Sequence, residues 1–252
     1  MKSTISSNYG AKIMQSVLPL DTSPDIAALA PKYALLPVGA MEQHGPHLPV
    51  TTDTIIASAI AKRVSEKIMG IQLPAIAISC SHEHAAFPGS ISISANTLSS
   101  IIRDIVDSVH QQNIEFTVII NAHGGNYVIG NIVQELNVNR AHVFLCPTRQ
   151  HWEKAAESAG VSSTVSADMH GGEIETSLIM YICPSAVRDK SLFQDVDVPS
   201  RPFLSSFGMS YYTNTGIIGF PTKASPEKGE KLLSNISDLI SNDILRITNN
   251  RT

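Results

Sequence analysis

Short apolar runs alternate along this chain with longer stretches in which apolar residues recur every three or four positions. The runs at 34–38, 73–79, 116–121 and 142–146, rich in Val, Ile, Leu and Ala, predict strands. Between them, Ile55, Ile56, Ala59, Ile60, Val64 and Ile68 share one helical face of 54–68. Leu98, Ile101, Ile102, Ile105 and Val109 do the same in 97–109, and 128–136 is a shorter case. Pro226 opens a last helix over 227–247, with Leu232, Leu233, Ile236, Leu239, Ile240 and Leu245 on its apolar side. Alternating strands and helices, with strands apolar nearly throughout, predict an α/β fold: a parallel sheet covered on both faces. Residues 195–202 read as an exposed loop, and the weakly patterned first thirty residues as an arm or an oligomer contact.

Composition narrows the function classes. The 252 residues, 43% of them hydrophobic, fit one domain over 1–252 with a sizeable core. The 18 basic and 22 acidic side chains give −4 with no basic block, which argues against a nucleic-acid partner. No apolar run approaches the roughly 20 residues that cross a bilayer, so no membrane association is expected. Lys2 is followed by Ser, Asn and Gly rather than by a secretory h-region. Cys80, Cys146 and Cys183 lack short spacings and point to a reducing compartment, so a cytoplasmic protein is expected.

In open parallel sheets, active sites lie beyond the carboxyl ends of the strands. The loops after the predicted strands hold the polar chemistry of this chain. Glu42-Gln43-His44-Gly45-Pro46-His47 and Asp53 follow the first strand. Glu42 and His44 are two apart, so an extended segment points both to one side. Carboxylate oxygen suits hard divalent ions, zinc also accepts imidazole, and Asp53 has two oxygens with which to bridge. A loop in which these groups merely bond the turn is the plain alternative. Asn121-Ala122-His123-Gly124-Gly125-Asn126 is a glycine-rich strand-to-helix turn. It could cradle a phosphate, but it has neither the Lys of a P-loop nor the three-glycine dinucleotide pattern. In Asp168-Met169-His170-Gly171-Gly172-Glu173-Ile174-Glu175, the acids also suit a helix start. Ser81-His82-Glu83-His84 is ambiguous by itself, and Trp152, the only Trp, is either core or pocket wall.

Together these segments resemble the creatininase (creatinine amidohydrolase) family. The resemblance rests on Leu36 to Pro49 with Thr52-Asp53, on Glu83-His84 with Phe87 to Ser92, on Asn121 to Asn126, and on His170 to Ser177. Gly216 to Pro221 with Lys228-Gly229-Glu230 completes it, so five collinear motifs span about 30 to 235. It implies a three-layer α/β/α sandwich with a mostly parallel sheet, assembled into a homo-hexamer. It also implies two divalent metal ions per subunit, zinc first, with manganese or iron as alternatives.

By resemblance, Glu42 and His44 bind separate ions, Asp53 bridges them and His123 completes the first site. Creatininase proper has a Glu two residues after that His, where this chain has Gly125. Glu175 is the assigned replacement and Glu173 the competing one. His170 would be the catalytic acid/base, and His84, Glu83, Trp152 and Asp168 would contact substrate. The implied reaction is hydrolysis of a C–N bond (amide, lactam or formamide) in a small molecule or short peptide, through a metal-bridging hydroxide. Creatinine itself is not expected, because no second aromatic residue stands near Met169 to pair with Trp152. Loss of the carboxylate at Gly125 keeps open a non-catalytic relative that serves as a biosynthetic assembly partner.

Overall fold

The computed structural model describes residues 19–140 and 142–249. Its centre is a four-stranded parallel sheet in the order β2-β1-β3-β4, formed by β1 (Tyr33–Val38), β2 (Ile71–Gln72), β3 (Phe116–Asn121) and β4 (Val143–Cys146). Tyr33 pairs with Phe116 and Val38 with Asn121, so β1 and β3 end level at their carboxyl ends. Every residue of β1 is buried. Successive side chains serve opposite faces, as a two-residue period requires.

Tyr33 and Leu35 of β1, with Phe116, Val118 and Ile120 of β3, face one core. α2 (Thr52–Ile68), α5 (Arg149–Ala159), α6 (Glu173–Ile182) and α8 (Pro226–Asn249) cover it. Leu36, Val38 and Ile119 face the other side, under α3 (Ala95–Gln111) and α4 (Val128–Leu136). This is the three-layer α/β/α sandwich with a parallel sheet that the sequence predicts.

Two elements depart from expectation. The predicted strand 73–79 is instead two residues at 71–72, followed by irregular chain that touches β1 once more through Val38 and Ile76. Pro74 is the reason: it has no N–H to give a ladder, so pairing stops after Leu73 N–H to Leu35 O and resumes at Ile76, which donates to Pro37 O and accepts from Gly39 N–H, both at 3.0 Å. α5 was not foreseen, because its buried face is built from Ala155, Ala156 and Ala159, which make no conspicuous apolar stripe. A capping box starts it: Thr148 Oγ1 accepts from His151 N–H, and His151 Nδ1 accepts from Thr148 N–H.

Of the first thirty residues, 1–18 lie outside the described ones, while α1 (Ser23–Leu29) buries no residue. The 195–202 segment is mostly exposed, Val196 forms a bridge with Gly219, and the short α7 (Leu204–Phe207) follows. Among the described residues no helix is long and apolar enough to cross a membrane.

Candidate metal centre

The carboxyl ends of β1 and β3 and the amino ends of α2 and α6 converge on one buried cluster of acids and imidazoles. The loop after β1 supplies Glu42 and His44, the first turn of α2 supplies Asp53, the turn after β3 supplies His123, and the first turn of α6 supplies Glu175. Candidate ligand atoms of Glu42, Asp53 and His123 lie within 4.8 Å of one another, as do those of His44, His170 and Glu175, and those of Glu42, His84 and His170. Asp53 stands between the first two groups. Its Oδ1 is 3.0 Å from His44 Nε2 and its Oδ2 3.4 Å from His123 Nδ1.

Backbone carbonyls fix which imidazole nitrogen faces this cluster. His44 Nδ1–H donates to Glu42 O at 3.1 Å, and His123 Nε2–H donates to Cys80 O at 2.8 Å. In the neutral ring the other nitrogen is then a lone pair, and each points at carboxylates: His44 Nε2 at Asp53 and Glu175 (3.7 Å), His123 Nδ1 at Glu42 (3.1 Å) and Asp53. Lone pairs facing carboxylate oxygens repel unless a cation lies between them. Both oxygens of Glu42, whose side chain is 0% exposed, and Oδ2 of Asp53 accept no hydrogen bond. Buried unpaired carboxylates are costly unless neutralised or bound to a metal. A donor set of three carboxylates and two such imidazoles fits zinc and related divalent ions.

The protonation tendencies agree. Burial alone would lower both imidazoles, yet Asp53 and Glu175 lift His44, and Glu42 and Asp53 lift His123, well above the ordinary histidine value. Burial opposes ionisation of Asp53, but His44 and His123 outweigh it and hold the carboxyl below its usual range. With protons alone, this cluster recruits positive charge. Ligating ions would supply that charge while the rings stay neutral.

His170 and His84 are held differently. His170 Nε2–H donates to Gln43 O at 2.5 Å, leaving Nδ1 as acceptor, 3.7 Å from Glu42 Oε1. Gln43 Nε2–H donates to His84 Nδ1 at 2.9 Å and to Gly216 O at 3.0 Å, which leaves the His84 proton on Nε2, 3.4 Å from Glu42. Burial first, then the neighbouring imidazoles, push both rings below the ordinary histidine value. Gln43 was not singled out from the sequence, nor was His47, which is fully buried and bonds Thr176 Oγ1 at 2.9 Å. Both lie inside the first motif, but nothing in their spacing marks a positioning role.

A cavity of about 320 Å³ opens onto the cluster, lined by Glu42, Asp53, His123, His170 and Glu175, with Trp152 and Met169 on its wall. Trp152 therefore reaches the cavity from α5 while also packing on the core. Asp168 lines the cavity as well, but its carboxylate is engaged elsewhere. It accepts from the amides of Glu173 (2.6 Å), Ile174 (2.8 Å) and Phe220 (2.9 Å), so it ties down the start of α6 rather than reaching for a substrate. Glu83 is 3.6 Å from His123 Nε2, on the far side of that ring from Asp53.

Glu173 is turned away. Its fully buried carboxylate contacts Lys228 Nζ and accepts from Ser162 N–H and Oγ–H. Arg149 pairs on the surface with Glu153 at 2.7 Å.

Comparison with known proteins places this arrangement. The creatininase family model, described as creatinine amidohydrolase, matches residues 21–244. A mycofactocin precursor peptide peptidase from Mycolicibacterium smegmatis is 32% identical over 228 residues, covering 87% of this chain and 86% of that protein. A creatinine amidohydrolase from Pseudomonas putida is 26% identical over 219 residues, 79% and 83% of the two chains. A mutant creatininase of zinc–zinc type superposes with a TM-score of 0.73 at 23% identity, over 97% of this chain and 96% of its own. The chain belongs to the creatininase family.

Proposed function

We propose that this protein is a metal-dependent hydrolase that cleaves a C–N bond, with a short peptide as the leading substrate. The observation that carries the reading is the pair of carboxylate–imidazole groups joined through Asp53, with lone pairs and unbonded carboxylate oxygens aimed at the same space. In this reading Glu42, Asp53 and His123 hold one divalent ion and His44, Asp53 and Glu175 the other, zinc being the first choice. The zinc–zinc type of the superposed creatininase supports that choice. Bound there, the ions would polarise the substrate carbonyl and make the attacking water nucleophilic near neutral pH.

The remaining steps fall to the side chains. His170 Nδ1, unprotonated and facing the centre, takes a proton and delivers it to the departing nitrogen. Its Nε2–H stays on Gln43 O throughout, so the ring keeps one orientation. His84 Nε2–H faces Glu42 and is placed to orient the substrate carbonyl or that carboxylate. Trp152 and Met169 form an apolar wall that excludes water from the leaving group. The peptide preference is supported by the relative named a precursor peptide peptidase, which this chain matches along most of its length.

The non-catalytic alternative rested on Gly125. Glu175 beside His44 offers a carboxylate to that side of the centre, which favours the catalytic reading. By family resemblance, the proposed working unit is a cytoplasmic homo-hexamer of single-domain chains. The test is metal content per chain in the parent and in Glu175→Gln and Glu173→Gln. Two ions in the parent, with one lost only in Glu175→Gln, are expected. A folded parent that takes up no metal from zinc, manganese or iron solutions overturns the proposal.

A further inference from the structure

The turn after β3 separates two cavities. On one side lies the metal cavity. On the other is a larger one of about 550 Å³, lined by Cys80, Glu83, Ala86, Tyr127, Leu204 and Phe207 among others. Its outer rim is aromatic and open to solvent: Tyr127 is 69% exposed and Phe207 56%, with Phe207 stacked on Tyr211 at 4.9 Å. At its inner end stands the Glu83 carboxylate.

Glycine makes that placement of Glu83 possible. A Cβ on residue 125 would lie 1.8 Å from Glu83 Oε1, so any side chain there would displace the carboxylate. A Cβ on Gly124 would meet nothing within 4 Å, and the crest of the turn is bare. The amides of Gly124 and Gly125 have no acceptor among the described residues. An extended chain can therefore lie across the turn and find free N–H donors there. Among the described residues no Lys or Arg pairs with Glu83. Its one ion-pair contact is the His123 ring at 3.6 Å, which already donates from the same nitrogen to Cys80 O, while His82 stands farther off on the same cavity wall.

We propose that this second cavity binds a lysine or arginine side chain of a peptide substrate that crosses Gly124 and Gly125 with its scissile amide in the metal cavity. The apolar stem lies along Leu204 and Ala86, the cationic head meets Glu83, and Tyr127 and Phe207 offer ring faces to the charge on its way in. A carboxylate at the end of an apolar, aromatic-rimmed cavity is complementary to that class of side chain and repels an acidic one. The inference rests on the hydrolase reading and assigns a specificity to it.

Two measurements on the metal-loaded protein test it. The first is turnover of blocked hexapeptides that differ only in Lys, norleucine or Glu at the positions flanking the cleaved bond. The second is calorimetric binding of the same peptides with the scissile amide replaced by an uncleavable ketomethylene link, –CO–CH2– in place of –CO–NH–. The expected result is at least a tenfold preference for Lys over norleucine, carried by KM and matched in affinity, with Glu the poorest. Glu83→Gln should collapse the Lys-to-norleucine ratio. Phe207→Ser, at a position 56% exposed, should weaken it several-fold. Equal affinity for Lys and norleucine overturns the inference, even if both peptides are cleaved. A Lys preference in binding with no turnover of any peptide leaves the cavity's side-chain preference standing and overturns the peptide-cleaving part of the hydrolase reading.

Discussion

The first turn of α6 carries two acids that end in opposite surroundings. Glu173 is neutralised by Lys228 and by hydroxyl and amide donors from Ser162, whereas Glu175 faces His44 and the metal cavity and keeps 18% of its side chain exposed. Two helical positions differ in direction by about 200°, so two acids spaced this way cannot serve one centre. Asp168 and the backbone around Gly171 settle which acid turns inward. Asp168 accepts from the first amides of the helix, and Gly171 N–H donates to Glu175 Oε2 at 2.6 Å. One carboxylate is therefore spent on an ion pair and the other turned toward the cavity, although the sequence presents them as near equals.

The largest effects should come from the chemical side. Asp53→Asn removes the only group shared by the two proposed ligand sets, and on that proposal it should lose both ions rather than one. Metal polarisation contributes several kcal/mol to such reactions, so activity should fall by about 10³-fold or more. Glu175→Gln should lose one ion with a comparable fall. Metal analysis beside single-turnover rates checks both, and an Asp53→Asn protein that retains two ions would contradict the shared-ligand geometry.

The structural side should lose stability without losing metal. Lys228→Met leaves the Glu173 carboxylate buried without its cation, a change that costs about 3 kcal/mol in comparable buried pairs. Glu173→Gln together with Lys228→Met should cost less than the two changes summed, because the partners remove each other's liability. Urea denaturation measures this, and both proteins should still bind two ions. Asp168→Asn lies between the two classes. It weakens the acceptor for three amides at the helix start, for about 1–2 kcal/mol, and it should also loosen the second ion, since Glu175 is carried by that same turn.

The contrast also shows what could be read in advance. The convergence of Glu42, His44, Asp53 and His123 was legible because their residue types suit metal ligation and their loops fell at strand ends where sites form. The apolar periods gave the sheet and most of its helices, as at β1, β3 and α4. What stayed hidden was held by backbone. The tautomers of His44, His123 and His170 are set by the carbonyls of Glu42, Cys80 and Gln43, and a carbonyl is the same for every residue type. Asp168 looked like a substrate contact for the same reason: its partners are amides that no motif records. β2 was misjudged because the loss of a single N–H at Pro74 outweighed a favourable apolar run.

The smallest expected effect sharpens the distinction between buried and surface charge. His151 on α5 and Asp243 on α8 pair at 3.1 Å, joining the same helical layer as Glu173 and Lys228. The Asp243 side chain is 44% exposed, so solvent screens the pair, and Asp243→Asn should cost no more than about 0.5 kcal/mol. Its pH dependence has a definite sign. The hydrogen bond from His151 holds the Asp243 carboxyl below its ordinary value of 3.8. Its contribution is therefore present above pH 3.8 and fades as the pH falls through the lower folded value. Parent and variant should differ slightly at neutral pH and converge in acid. A loss comparable to that of Lys228→Met would mean that the α5–α8 contact is far less open to water than the exposure of Asp243 implies.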